Sequence, residues 1–169
     1  MTARVYVGTY AKYNNGSIGG AWIDLEECGD AGTFLEKCAE LHADESDPEL
    51  MFQDFEGFPR SFYGESHINP AVFDWIELGN DDRELLAVYH DEVDNTGDID
   101  TARDAFTGKY SSETDWAEQY WDACGMLSQV PEFARQYIDF ESYARDCRLG
   151  GDVTFVHHNG DVWAFNNNI

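Results

Sequence analysis

The sequence predicts an α+β protein, drawn out as an elongated chain of three small lobes. Three observations predict it. Alternating apolar runs lie near both ends of the chain, the middle third carries apolar residues at helical spacing, and acidic residues crowd into that helical middle. The predicted lobes are residues 1–62, a small antiparallel sheet with one helix; residues 63–104, acidic and helical; and residues 105–169, a sheet with further helices.

In the first lobe, residues 4–10 (RVYVGTY) alternate like a strand, with Val5 and Val7 on one face. KYNNGS (12–17) reads as a turn and GGAWIDL (19–25) as a second strand. A helix is expected over 32–43, with Phe34, Leu35, Cys38 and Leu41 along one side. LMFQDFEGF (50–58) reads as a third strand after the acidic HADESDPE. In the second lobe, Asn69 followed by Pro70 is a helix start, with an amide side chain to cap and a proline whose missing N–H costs nothing there. That helix ends by Gly79, and a second runs over 82–93 with Leu85, Leu86, Tyr89 and Val93 on one side and Asp81, Glu84, Asp91 and Asp94 roughly opposite. DNTGDID breaks the chain before a short helix near 99–105. In the third lobe, residues 105–112 form a strand, TDWAEQYWDACGML a helix with Asp115, Glu118 and Asp122 on one face, and Pro131 and FESYARDC begin two more. DVTFVHHNGDVWAFN carries the strongest local signal. Two alternating runs flank Asn159-Gly160, a pair suited to a two-residue type I′ hairpin because both residues tolerate positive φ.

The charge is the outlying quantity: 34 Asp plus Glu against 10 Lys plus Arg, a formal net charge of −24 in 169 residues. Such a chain repels nucleic acid and anionic lipid and attracts basic grooves. With 43% hydrophobic and 15% aromatic residues it is no disordered polyanion. No apolar run reaches the roughly 18 residues that a membrane span needs, and MTARVYVGTY lacks the apolar stretch of a signal peptide, so a cytoplasmic protein is expected. Cys28, Cys38, Cys124 and Cys147 show no CxxC spacing and read as reduced and partly buried.

The acids are uneven. Residues 40–56 hold seven with no Lys or Arg, residues 74–104 hold eleven against two Arg, and residues 132–148 hold four against Arg135, Arg145 and Arg148. The candidate interaction surface is therefore Asp44, Glu45, Asp47, Glu49, Asp54, Glu56, Asp74, Glu77, Asp81, Asp82, Glu84, Asp91, Glu92, Asp94, Asp98, Asp100, Asp115, Glu118 and Asp122. Taken helix by helix, solvation of an outer face explains these acids as well; the sum is what points to a polyanion imitating duplex DNA. At one charge per ~1.7 Å of duplex, 24 net charges correspond to a rod of about 40 Å, and a dimer to about twice that. A globule of this length would have a radius of gyration of only ~15 Å, so the imitation requires elongation.

Other chemistries fit less well. DNTGDID resembles a calcium loop, but with Gly97 sixth the first position is Glu92 and the twelfth Arg103, which would repel the ion. Cys38 and His42 are four apart on a helix without a second pair, and a core thiol beside a surface imidazole is the plainer reading. His157 and His158 face opposite ways on a strand. Trp22, Trp75, Trp116, Trp121 and Trp163 read mostly as core. The sequence contains no HExxH, GxSxG, Walker or dinucleotide signature, and nothing selects a hydrolase-like carboxylate pair, so no enzyme, metal or cofactor is expected.

Four segments, VYVGTYAKYNNGSIGGAW (5–22), DPELMFQDFEGFP (47–59), GESHIN (64–69) and VPEFARQYIDFESYARD (130–146), together resemble the ArdA antirestriction family of conjugative plasmids, transposons and phages. The resemblance implies an elongated three-domain chain, a homodimer formed through the C-terminal domain, and inhibition of type I restriction–modification enzymes in a bacterial host. The target would be their DNA-binding methyltransferase core, blocked in cleavage and modification alike, with no nucleic acid bound. VPEFARQYIDFESYARD looks like the family's antirestriction region, which carries over to Tyr137, Ile138, Asp139, Phe140, Tyr143 and Arg145. The alternative is an acidic protein adapted for solubility or high salt that binds basic protein partners.

Overall fold

A computed structural model describes residues 2–168. It is α+β and divides into two compact units, Met1–Ala87 and Val88–Ile169.

The first unit is built on a three-stranded antiparallel sheet of order β2-β1-β3, from β1 (Arg4–Thr9), β2 (Ala21–Asp24) and β3 (Leu50–Glu56). Val5, Val7, Ile23 and Phe52 are buried, as alternation requires of the inner face, while Arg4 and Tyr6 are half-buried and Trp22 is exposed. A register shift between Tyr6 and Val7 marks a bulge against β3. Between β1 and β2 lies the short α1 (Tyr10–Asn14), in place of the first part of the expected turn. Thr9 starts it by accepting the Lys12 amide through its hydroxyl. Leu25, expected to end the second strand, instead opens α2 (Leu25–Cys28), because the Asp24 carboxylate accepts the amides of Glu26 and Glu27.

Next comes α3 (Ala31–Leu41), capped by Asp30. It buries Phe34 and Cys38 but leaves Leu35 and Leu41 exposed, so its apolar stripe is narrower than the sequence pattern suggests. After β3, Gly57 has φ +80°, and a side chain there would lie 2.2 Å from the Thr2 carbonyl oxygen, so the turn requires glycine. A short 3-10 turn at Arg60–Phe62 leads to α4 (Ala71–Glu77). Its first amide, that of Ala71, is accepted by the Asn69 side chain, the capping role expected of that residue. The unit boundary falls within α5 (Asn80–Glu92), which buries Leu85, Leu86, Val88 and Tyr89.

The second unit continues with α6 (Ile99–Ala105), capped by Asp98, then β4 (Phe106–Tyr110), α7 (Glu113–Ala123), α8 (Glu132–Arg135), α9 (Phe140–Leu149), β5 (Val153–His158) and β6 (Asp161–Asn166). The sheet order is β4-β6-β5, all antiparallel. Asn159 and Gly160 have φ of 50° and 83°, the two positive values of the expected type I′ turn. Central β6 is buried at Val162, Trp163, Ala164 and Phe165, hence on both faces. On one, Ala164 joins Trp116, Ala117, Phe140 and Ala144 of α7 and α9. On the other, Phe165 meets Phe106 and Tyr89.

Candidate functional site

Of the nineteen carboxylates singled out in the sequence, Asp44, Asp47, Glu49, Asp54, Asp74, Glu77, Asp81, Asp91, Glu92, Asp94, Asp98, Asp100, Glu118 and Asp122 are exposed. Glu45, Glu56, Asp82, Glu84 and Asp115 are half-buried, and none is buried. They fall in both units.

In the first unit, one cluster forms where the chain leaves α3. The Lys12 ammonium lies 2.7 Å from His42 Nδ1, 3.0 Å from Asp44 and 3.1 Å from Glu45, and the Thr9 hydroxyl donates to Glu45 at 2.8 Å. His42 is buried, not the surface imidazole that the sequence suggested, and its Nε2 bonds the Val7 carbonyl at 3.0 Å. The hydrogen bond to Asp44 raises the Lys12 pKa. Lys12 in turn lowers that of Asp44, and the Thr9 hydroxyl followed by Lys12 lowers that of Glu45. His42, Asp44 and Glu45 are the one group among the described residues with ligand atoms close enough to hold a metal, and the Lys12 ammonium bonds all three. Asp54 and Glu56 sit on the solvent side of β3, where Glu56 pairs with Arg4.

Across the first turn of α5, Asp81 and Asp82 complement the helix dipole. Past its end the acids serve as local caps. Asp94 accepts the amide and hydroxyl of Thr96, and Asp98 those of Thr101. The Thr96 hydroxyl and the Thr101 amide are the main reasons that these two carboxyls lie below the ordinary aspartate pKa. Asp115 is lowered first by the Ser111 amide. These groups are therefore firmly ionised at neutral pH. Asp100 pairs with Arg103 at 3.2 Å.

The segment expected to carry antirestriction function divides by burial. Phe140 is buried, edge-on to Trp121 at 5.7 Å; Ile138 and Tyr143 pack on the same core. Asp139 caps α9 through the Ser142 amide and hydroxyl. Tyr137 is 79% exposed, and Arg145 faces solvent with a 3.3 Å bond to the Ser142 hydroxyl. Phe133, 76% exposed, was not singled out; the PEFARQY spacing, which sets it four residues from Tyr137, was the available signal. Trp22 was also missed, as an exposed ring where the sequence favoured core. Trp75, Trp116 and Trp163 are buried as expected. Cys28, Cys38, Cys124 and Cys147 are all free, and burial pushes the Cys38 thiol up to about 12. Among the described residues no helix is long and apolar enough to cross a membrane.

Fold and surface together define an acidic α+β protein with, among the described residues, two three-stranded antiparallel sheets, its carboxylates largely outward, and Arg4, Lys12, Arg103 and Arg148 paired with carboxylates of the same chain. Residues 5–161 match the family described as antirestriction protein (ArdA), and the chain belongs to that family. No individual curated protein matches it.

Proposed function

We propose that the chain is an antirestriction inhibitor that acts as a protein decoy for DNA against type I restriction–modification enzymes. The observation that carries this reading is the exposed carboxylate population of both units, set in a chain of net charge −24. A groove lined with Lys and Arg that neutralises phosphates can be satisfied by carboxylates at similar spacing. Counterions released from either polyanion make such association steeply salt-dependent. Without base readout, one inhibitor serves enzymes of different recognition sequence. Inhibition is competition for the methyltransferase core, with no bond made or broken.

The arrangement proposed has functional divisions at residues 1–62, 63–104 and 105–169, paired as a homodimer through the last. Tyr137 and Arg145, with Phe133 beside them in the sequence, present exposed side chains to a partner, while Ile138, Phe140 and Tyr143 shape the support beneath. The place of action is the cytoplasm of a bacterial host.

Gel-shift competition between this protein and duplex DNA for a purified type I methyltransferase, at two salt concentrations, tests the proposal. Displacement should occur with methyltransferases of unrelated specificity and weaken at the higher salt. Inhibition confined to one recognition sequence would refute imitation of the backbone.

A further inference from the structure

The outer face of the first unit's sheet combines an aromatic platform with carboxylates. Strand pairing sets Tyr6 opposite Trp22 on one side and Asp54 on the other, and Arg4 opposite Asp24 and Glu56. Their neighbours Val5 and Ile23 point the other way, into the core. Trp22 is 37% exposed, and its ring is fixed: the Tyr6 ring meets it edge-on at 5.6 Å, and the Tyr6 hydroxyl is itself tied to the Ile18 carbonyl at 2.7 Å. Beside the ring is an open cleft of about 330 Å³ lined by Thr2, Arg4, Trp22, Asp24 and Glu56.

We propose that this face is an arginine-reading surface, on which Trp22, edged by Asp24 and Glu56, takes a guanidinium from a basic protein partner. The chain already displays the geometry. The Arg4 guanidinium carbon lies 4.6 Å above the Trp22 ring while its Nε donates to Glu56. A planar guanidinium can stack and donate sideways to a carboxylate at once; an ammonium cannot match both. Two other cations lie over tryptophans, Arg83 on Trp75 and Lys109 on Trp163, but those rings are 9% and 2% exposed and offer an outside ligand little. Trp22 is the open one, in a chain whose charge of −24 selects basic partners. An incoming arginine displaces Arg4, so Arg4 is a built-in competitor. The inference rests on the reading of the chain as an acidic inhibitor of basic proteins, and it adds a preference for arginine over lysine that charge alone does not supply.

The test is titration of the full chain with hexa-arginine and with hexa-lysine at equal ionic strength, by calorimetry. The arginine peptide should bind about two- to five-fold more tightly, the range of an exposed cation–π contact. Trp22→Ala, which leaves the net charge unaltered, should equalise the two peptides. Arg4→Ala should tighten the arginine peptide by a similar factor; with the ring left in place, it carries the test should Trp22→Ala fail to fold. Equal affinities in the unaltered protein, a preference that survives Trp22→Ala, or an Arg4→Ala variant no tighter than the parent would each overturn the proposal. The peptide measurement needs no restriction enzyme. A chain that discriminates the peptides yet leaves the methyltransferase on its DNA would lose the decoy function and keep the arginine surface.

Discussion

The Lys12 ammonium lies among His42 Nδ1, Asp44 and Glu45, and this arrangement fixes a tautomer. An ammonium only donates, so Nδ1 accepts, and the imidazole proton sits on Nε2, where it donates to the Val7 carbonyl. His42→Leu would leave that carbonyl and the ammonium short of partners. The expected cost is about 1–3 kcal/mol in urea denaturation at neutral pH. The carboxyls of Asp44 and Glu45 have folded pKa values below their unfolded ones, so the stability they contribute is present above the unfolded values near ~4 and lost as pH falls through the folded values. Lys12 is raised, so its contribution is complete below the unfolded value and lost as pH rises through the folded one. Urea midpoints measured across pH should therefore fall on both the acid and the alkaline flank. Lys12→Met should flatten the alkaline fall and soften the acid one. Unchanged flanks in that variant would show that the cluster contributes nothing to stability.

Among the elements, those whose local chemistry admits one reading were legible in the sequence, and those whose local chemistry admits two, or whose burial is set by tertiary neighbours, were not. The Asn159-Gly160 hairpin was readable because its turn needs two positive φ values and few residue pairs supply them. Gly160→Val should thus cost about 1–2 kcal/mol in chemical denaturation, while Asn159→Gly should be nearly neutral. A Gly160→Val protein as stable as the parent would mean that the turn can take another form. The Asn69 cap was readable for similar reasons, because proline follows it; the caps at Asp30, Asp98 and Asp139, side-chain oxygens set three residues before the amides they accept, carry no such mark. By contrast, α1 hides in a segment rich in turn residues, and its start depends on the Thr9 hydroxyl. Leu35 follows Phe34 by about 100° around the helix, which carries it to the edge of the sheet's cover and leaves it 52% exposed. His42 looked like a surface residue because its partners, Lys12 and Val7, are 30 and 35 residues away. Trp22 looked like core because composition does not say which face of a strand is covered. The acidic surface was legible as a sum of charges, whereas its division into free carboxylates and helix caps was not.

For the whole molecule, salt acts in two opposite directions, and that opposition separates the decoy from its rival. A net charge of −24 repels itself, which raises the free energy of the compact state. The screening length falls to about 10 Å at 0.1 M salt, so moderate salt should raise the melting temperature and further addition should matter progressively less. Association with a basic groove should respond the other way. Each phosphate-reading cation satisfied by a carboxylate releases condensed counterions, so the logarithm of affinity for the methyltransferase should fall linearly with the logarithm of salt. A duplex competitor measured alongside should give a slope of the same sign. An acidic protein shaped by a salty cytoplasm predicts a different pair of curves: stability that keeps climbing to molar salt, and no methyltransferase affinity at any concentration. Melting curves and competition binding over the same salt series therefore decide between the two. A chain whose melting temperature is still rising at ~1 M, where the screening length is about 3 Å, owes its acids to something other than imitation of DNA.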